Sequence, residues 1–451
     1  MAILLSSCLA PSRAPHPVRP APDAQPPWES MSAFIALGDP QSALAAYERA
    51  LASEPAGRES RVLHARLLMI AGRLAEAREE LSLLLAELPR DAEVLYQLSV
   101  LEGLEGNAAA QRELLERVVS LDPGHADAAA GLGDLALGRD DPEAAAGYFQ
   151  SALSADPTNL VALLGTAECR FRQKDWTGAE TAAGKAIESQ PDYPFAYVDR
   201  ARARGARGDS KGALEDLGRA IALDPSYPWS YIDRGRLYIR EARAEEALAD
   251  FTMAVALGPE VFAGYAYRAE LLDTAGRDRE AIADYERVVN LRPDYWFAYP
   301  PLAALYFSTG DWVKARTRFL EAARCEEDEL SYVLLAALAS HRAADRKAAV
   351  EILEEALPRM PRDSWQWEVA RFLLKPDMDL PLMSRAEKER NRAVRARMLF
   401  YLAEMSLAAG RLRTAASWLA DIDGAGAPHA IETRLARREF ARLTAHSQES
   451  Q

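Results

Sequence analysis

Arginine and aspartate recur at a fixed interval in the middle of this 451-residue chain. Successive copies of each are 34 residues apart, and no other copy of this period has arginine at the first of these positions or aspartate at the second. The residues are Arg200, Arg234, Arg268, Asp216, Asp250 and Asp284. Because an arginine can bind a carboxylate through two parallel hydrogen bonds, we expect a short Arg–Asp bridge within each copy. We interpret this chemistry as structural, a partly buried pair that specifies how neighbouring segments dock.

Residues that usually perform catalysis or bind metals form no motif in this sequence. The six histidines are scattered, and HExxH, GxGxxG, GxSxG and phosphate-loop patterns are absent. Cys169 and Cys325 lie far apart, and no CxxC pair or Cys/His cluster indicates a metal. We therefore predict a non-catalytic protein with no metal and no cofactor.

Proline marks the same period along most of the chain. After eight consecutive copies the series misses one position, at Glu327, and resumes in phase at Pro361. The consecutive copies are Pro55, Pro89, Pro123, Pro157, Pro191, Pro225, Pro259 and Pro293. Because proline cannot continue a helix interior, each copy marks the end of one repeated structural unit. The chain is thus predicted to be a repeat array.

Other residues keep the same register when proline is counted as position 32. Alanine holds position 20, with Gln111 as the exception, and glycine is frequent at position 15. Small residues let two helices approach closely, and glycine fits the tight turn between them. Position 4 is tyrosine in the middle repeats, where Tyr197 and Tyr231 are examples. These residues resemble the tetratricopeptide repeat, a helix-turn-helix unit, in ten copies from about Ala24 to Pro361.

The resemblance implies an all-α fold, a right-handed α-solenoid (superhelix) of tandem helix-turn-helix units. We expect three segments: residues 1–23 as a lipobox-like start and proline-rich tether, residues 24–361 as the ten repeats, and residues 362–451 as a C-terminal helical region. The last segment would contain a degenerate eleventh repeat and a capping helix.

The degenerate eleventh repeat is expected to run from about Ala396 to Asp423, and besides its second helix three helices are predicted within the C-terminal region. A short one ends at Leu374, and a long one starts at a capping box of Ser384 and Glu387 and reaches about Ala409. The final, arginine-rich helix runs from Pro428 to Ala445 and covers the last apolar face.

Candidate binding residues follow from the resemblance, because positions 2, 5, 6, 9, 12 and 13 usually point into the concave face in this family. In repeats 6 to 9 they combine aromatic residues with arginine and acidic residues, a mixture typical of protein-binding hot spots. The candidates are Phe195, Asp199, Arg202, Trp229, Asp233, Arg236, Tyr267, Glu270 and Phe297. Alternatively, the position 2 aromatics pack between repeats. The lysine and asparagine set with which some family members clamp a terminal carboxylate is missing here.

The resemblance implies a scaffold or adaptor that binds a protein or peptide in its concave groove. A net charge of -14 argues against nucleic acid as the main partner, because phosphate binding depends on lysine and arginine clusters. No apolar run is long enough to span a membrane. Two alternatives remain open: a small-molecule or lipid carrier with a pocket in repeats 6 to 9, and a cytoplasmic regulatory module.

The first residues resemble the lipobox of bacterial lipoproteins, in the order Leu4, Leu5, Ser6, Ser7 and Cys8. The resemblance implies lipidation of Cys8 and a location on the periplasmic face of a bacterial membrane, with the following proline-rich stretch as a spacer. Only seven residues precede Cys8, without a basic region, so either the natural start lies upstream or the resemblance is accidental. In the second case the chain would be cytoplasmic.

Overall fold

The computed structural model describes residues 39–51, 57–376, 379–423 and 430–449. Within these ranges the regular elements are all helical, so the predicted all-α array of helix-turn-helix units is confirmed. The tether and Cys8 lie outside them. The chain divides into two compact units, the first ending at Leu237 and the second beginning at Tyr238.

The first unit contains eleven described helices and most of a twelfth. They are α1 Pro40–Leu51, α2 Arg58–Ile70, α3 Leu74–Glu87, α4 Ala92–Leu104, α5 Ala108–Leu121, α6 Ala126–Gly138, α7 Pro142–Ala155, α8 Leu160–Arg172, α9 Trp176–Ser189, α10 Pro194–Arg207, α11 Ser210–Leu223 and α12 Pro228–Arg240. The division between the units falls near the end of α12.

The second unit contains the remaining α-helices. They are α13 Ala244–Leu257, α14 Phe262–Thr274, α15 Asp278–Leu291, α16 Tyr299–Thr309, α17 Trp312–Cys325, α18 Ser331–Arg342, α19 Arg346–Ala356, α20 Trp365–Leu374, α21 Leu380–Lys388, α22 Arg392–Ala408, α23 Leu412–Asp423 and α24 Ile431–Glu449. Two short 3-10 helices, Trp296–Ala298 and Leu357–Arg359, also belong to it.

Helix boundaries keep the register of the proline series. In repeat 5 the two helices begin at positions 1 and 17, and repeat 8 starts its helices at the same positions. Aspartate at position 16 caps several second helices; Asp175, for example, accepts a hydrogen bond of 2.9 Å from the Gly178 amide. Gln190, the residue before Pro191, has φ of −137° and ends α9, as expected when proline disfavours the helical conformation of its predecessor.

The turn at position 15 is left-handed whether or not it carries glycine. Glycines there, such as Gly208 and Gly310, have φ of 90° and 85°. Asp140, Lys174, Ala242 and Ala344 occupy the same position with φ between 56° and 61°. Left-handed backbone is strained for residues with a Cβ, so each of these four turns lowers the stability of the fold relative to a turn with glycine.

Periodic prolines and position 4 tyrosines contact each other between successive repeats. The Tyr197 hydroxyl donates a hydrogen bond of 2.9 Å to the Pro191 carbonyl, and Tyr299 makes the equivalent bond of 2.9 Å to Pro293. The hydroxyl reaches the carbonyl that ends the preceding repeat. Tyr197, Tyr231 and Tyr299 therefore connect the start of one repeat to the end of the preceding one.

Two of the three predicted Arg–Asp bridges are confirmed. Arg200 holds Asp216 through bonds of 2.9 and 2.6 Å, and Arg268 holds Asp284 through bonds of 2.7 and 2.8 Å. The third pair, Arg234 and Asp250, falls on either side of the division between the units and stays a prediction. Repeat 2 has His64 and Glu80 at the same two positions, with His64 Nδ1 2.6 Å from Glu80 Oε2. The pattern of arginine and aspartate does not predict this pair, because its residue types differ.

The C-terminal helices depart from the predicted pattern at one point. A helix does end at Leu374, but Ser384 lies inside α21, so the capping box of Ser384 and Glu387 is wrong. Asn391 caps the long helix instead, accepting bonds of 3.0 and 3.3 Å from the Ala393 and Val394 amides. The last helix begins at Ile431 and extends beyond Ala445. None of the described helices combines the length and apolarity needed to cross a membrane.

Candidate partner-binding site

Two consecutive first helices of the first unit carry six of the nine predicted site residues. On α10 these are Phe195, Asp199 and Arg202, and on α12 they are Trp229, Asp233 and Arg236. Spacings of three and four residues place each trio on one side of its helix. We call these six residues, together with Tyr227, the aromatic–acidic face.

A buried carboxylate connects the two helices of this face. Asp233 is 8% exposed, and its Oδ2 accepts a hydrogen bond of 2.8 Å from Nε of Arg202. Arg236 lies on the other side, with its Nη1 3.5 Å from Oδ1. Two arginines from successive repeats thus share one aspartate, and both guanidinium groups are held in place on the surface.

Asp199 is less well compensated than Asp233. Its ion pair in the described part of the chain is a long contact, 3.9 Å to Nη1 of Arg202, whose Nε is bound to Asp233. Burial of the carboxyl raises the pKa of Asp199 to about 7; Arg202 opposes this rise, and the like charges of Glu168 and Asp233 add to it. Near neutral pH this side chain gains or loses a proton easily, and a cation from outside would favour the charged form.

The aromatic residues of this face are used in two ways. Phe195 is half-buried and meets Tyr227 edge-on, with ring centroids 4.8 Å apart and an interplanar angle of 82°. Trp229 has 37% of its surface exposed. Phe195 therefore contributes to packing around the repeat junction, as the alternative interpretation expects, whereas Trp229 presents apolar surface to solvent.

The other three predicted residues belong to the second unit. Tyr267 is half-buried and stacks on Phe251, with centroids 5.4 Å apart. Glu270 is exposed. Phe297 is 58% exposed and stacks on Trp296 at 3.9 Å. Because these three residues belong to the second unit, the nine candidates form two groups, one in each unit.

Further along the second unit, the first helices of repeats 8 and 9 are covered by the C-terminal helices. Asp273 and Phe307, both at position 12, were expected in the concave face. Arg434 and Arg438 of α24 bind the Asp273 carboxylate, and Phe307 is fully buried with its ring 6.3 Å from that of Phe400 on α22. The last helix therefore does more than cover the terminal repeat. The sequence feature that corresponds to this contact is the arginine at every fourth position of α24.

Clefts lie on both units, and one of about 510 Å³ is found on α13 of repeat 7, lined by Leu248, Thr252 and Met253 among others. Among the described residues, no group of three or more histidine, cysteine or acidic side chains is placed to hold a metal ion. A cleft of about 580 Å³ lies in repeats 3 and 4, lined by Val100, Leu104, Gln111 and Leu135 among others. It arises where Gln111 replaces the usual alanine at position 20, away from the repeats considered for a carrier pocket.

Comparison with known families agrees with the helix register. A tetratricopeptide repeat model matches residues 34–98 and 136–205, and a second model of the same repeat matches residues 99–160. No curated protein sequence matches the chain significantly.

Among solved structures, a tetratricopeptide repeat protein from Parabacteroides merdae is 19% identical; the match covers 55% of this chain and 97% of that one, with a TM-score of 0.40. A thermophilic protein of this type from Thermus thermophilus is 22% identical over 40% of this chain and 99% of its own, with a TM-score of 0.36. YrrB, described as a TPR protein with an unusual peptide-binding site, is 16% identical over 42% and 96%, with a TM-score of 0.34. The sequence matches over residues 34–205 and the helix register show that this chain contains tetratricopeptide repeats; proteins built from this repeat are typically non-catalytic scaffolds for protein interaction.

Proposed function

We propose that this protein is a non-catalytic scaffold or adaptor that binds a segment of another protein on the aromatic–acidic face of its first unit. The observation that supports the proposal is the exposed Trp229 on the same face as the poorly compensated Asp199. Hot spots of protein interfaces combine a large aromatic side chain with charged groups that are held in place before binding. Arg202 and Arg236 are held in this way by Asp233.

The chemistry of the face favours a basic residue next to an apolar one in the partner. An ammonium or guanidinium group would pair with Asp199, because the existing arginines are already engaged with Asp233. The neighbouring apolar side chain would cover Trp229 and the exposed part of Phe195. An extended peptide can present both groups on adjacent residues.

A pull-down with the full chain tests the surface. Trp229→Glu places a charge where apolar contact is expected, and we predict at least a tenfold loss of captured partner. The matched control is Leu83→Glu, since Leu83 is also an apolar side chain, 54% exposed, on the second helix of repeat 2. An unchanged set of captured proteins with Trp229→Glu would remove the proposed surface.

Binding should also depend on pH, because the pKa of Asp199 is raised to about 7. We expect the affinity of a lysine-containing peptide that binds this face to increase from pH 6 to pH 8, as the carboxyl becomes charged. Fluorescence anisotropy across this range measures the effect. Asp199→Asn should bind more weakly and lose the dependence; a variant that keeps the wild-type pH profile would show that Asp199 does not contact the peptide.

We also propose that the chain is tethered to the periplasmic face of a bacterial membrane through Cys8. Support comes from the lipobox-like order of residues 4–8 alone, which lie outside the described residues. Mass spectrometry of protein purified from its native cells should show a lipid on Cys8, and Cys8→Ser should release the chain from the membrane fraction. An unmodified Cys8 would favour the cytoplasmic alternative.

A further inference from the structure

We propose that α24 is an internal ligand of the second unit: it occupies a face of repeats 8 and 9 that binds a basic helix of another protein, and it must move aside for that helix to bind. This face is separate from the aromatic–acidic face, and the inference does not depend on binding there. The partner is an amphipathic helix with arginines at every fourth position.

Ion pairs join α24 to the repeats, in addition to the packing of Leu435, Ala436 and Phe440 against the core of the second unit. Arg434 Nη1 lies 2.9 Å from one carboxylate oxygen of Asp273, and Arg438 Nη2 lies 2.5 Å from the other. Arg438 also donates to the Asp273 carbonyl at 3.1 Å and reaches Asp278 at 3.2 Å. Two acidic side chains and a carbonyl thus converge on a pair of arginines.

A third arginine continues the same line. Arg442 Nη2 donates a hydrogen bond of 2.5 Å to the Ser308 carbonyl of repeat 9. Because residues four apart lie on one side of a helix, Arg434, Arg438 and Arg442 form a stripe that follows the repeats. The face therefore recognises arginine spacing on a helix, a property that a helix of another chain can share.

The helix is only partly built into the core. Five residues between Glu432 and Glu439 are buried, but most residues from Ala441 to Ala445 are exposed, and the three arginine side chains keep exposures of 37%, 26% and 47%. A cleft of about 260 Å³ remains where Arg438 and Arg442 meet Asp278 and Ser308. Partly exposed ion pairs are weakened by water and salt, so this contact can be exchanged.

Buried polar atoms further weaken the docking of α24. Within the described residues, Thr433 Oγ1 on α24 has no hydrogen-bond partner, and Glu432 of α24 meets Arg397 Nε of α22 only through a long ion pair of 3.7 Å. Unsatisfied buried groups of this kind oppose burial, because they lose water without gaining a bond. An external helix that binds the arginine-recognising face need not reproduce this unfavourable junction.

Competition in trans tests the proposal with the full chain. The probe is a fluorescent peptide of residues 430–449, and binding is measured by anisotropy. We expect the double variant Arg434→Gln/Arg438→Gln to bind the peptide at least tenfold more tightly than the wild type, since its own helix competes less well. Adding Asp273→Asn should abolish this gain. Arg413→Gln, which changes an exposed arginine of α23, and Trp229→Glu should behave as their parent proteins.

A double variant with wild-type helicity that binds the peptide no better than the wild type would overturn the proposal. Hydrogen exchange of the wild-type chain is a second, independent test of the proposal. Amides of α24 should exchange at least tenfold faster than those of α16 and α22, because α24 opens separately. Equal protection of the three helices would show that α24 is a fixed part of the core, and the proposal would then be wrong.

Discussion

On the first helices of the first unit, Trp229 is exposed and Asp199 has a single long contact to Arg202. On the first helices of repeats 8 and 9 in the second unit, the position 12 residues are covered: Phe307 is fully buried next to Phe400, and Asp273 is bound by arginines from α24. Both faces are built from aromatic, acidic and arginine side chains. They differ in whether another part of the chain supplies the complementary groups.

This difference shows that a repeat position does not determine by itself whether a side chain is available to a partner. Position 12 lies on the first helix in each repeat, but in repeats 8 and 9 the C-terminal helices bury it. Asp273 also shows what the aromatic–acidic face is missing: an external cation for its least compensated carboxylate. The covered face thus serves as an example of how the open one can be completed.

The largest expected loss of stability is that of one of two variants, each of which removes an aspartate that binds a pair of arginines. Asp273→Ala should destabilise the second unit by about 2 kcal/mol, because Arg434 loses its carboxylate and Arg438, which is 26% exposed, keeps Asp278 as its acidic partner. Asp233→Ala should cost only about 1 kcal/mol, since the Arg202 and Arg236 side chains, 41% and 55% exposed, can be solvated. Urea denaturation measures both; equal losses would contradict the distinction between covered and open faces.

The Arg–Asp bridges should differ in the same direction. A double-mutant cycle on Arg268 and Asp284, each changed to Leu, is expected to give a coupling energy of about 2 kcal/mol. The cycle on Arg200 and Asp216 should give about 1 kcal/mol, because Arg204 also binds Asp216 at 2.9 Å and retains part of the interaction. Additive stability losses in either cycle would show that the two residues do not interact.

Stability of the second unit should depend on pH through Glu404. Complete burial raises the pKa of this carboxyl from 4.5 to about 8; Arg342 opposes the rise and Glu439 adds to it. The protonated form is favoured in the folded chain, so its contribution to stability is present below pH 4.5 and is lost as the pH rises through about 8.

Glu404→Gln keeps a neutral side chain at every pH. Its free energy of unfolding should match the wild type near pH 4.5 and exceed it at pH 8.5, measured by urea denaturation at both values. A gain that is the same at the two pH values would contradict the assignment of this effect to Glu404.

The smallest expected effect is the change in stability when a left-handed turn residue is replaced by glycine, and we expect it to be the same in both units. Lys174→Gly in the first unit and Ala344→Gly in the second should each stabilise the chain by about 1 kcal/mol or less, because glycine accepts a positive φ without strain. Gly72→Ala, at the same turn position with φ of 78°, is the matched reverse change and should destabilise it. Thermal unfolding detects each shift, and a loss of stability with both glycine substitutions would contradict the account of the turns.

The sequence was sufficient for the repeat register, since a helix-breaking residue with a 34-residue period fixes where each hairpin ends. It also identified the bridges of Arg200 and Arg268, because their partners lie in the same hairpin. Local patterns were less reliable where two caps competed: Asn391, rather than Ser384, begins the long C-terminal helix.

Placement of α24 was beyond sequence reasoning, because its arginines fit a solvated surface as well as an acidic face. The choice depends on Asp273, which precedes Arg434 by 161 residues. The exposure of Trp229 likewise depends on which segments of the chain pack nearby and not on its own repeat.

Hydroxyl-radical footprinting of the native full chain, read by mass spectrometry, tests most directly whether one face is open and the other is covered. Trp229 should be modified as fast as an exposed tryptophan, and Phe307 and Phe400 should be protected at least tenfold relative to their unfolded reactivity. Rapid modification of Phe307 and Phe400, or protection of Trp229 to the same degree, would contradict the account.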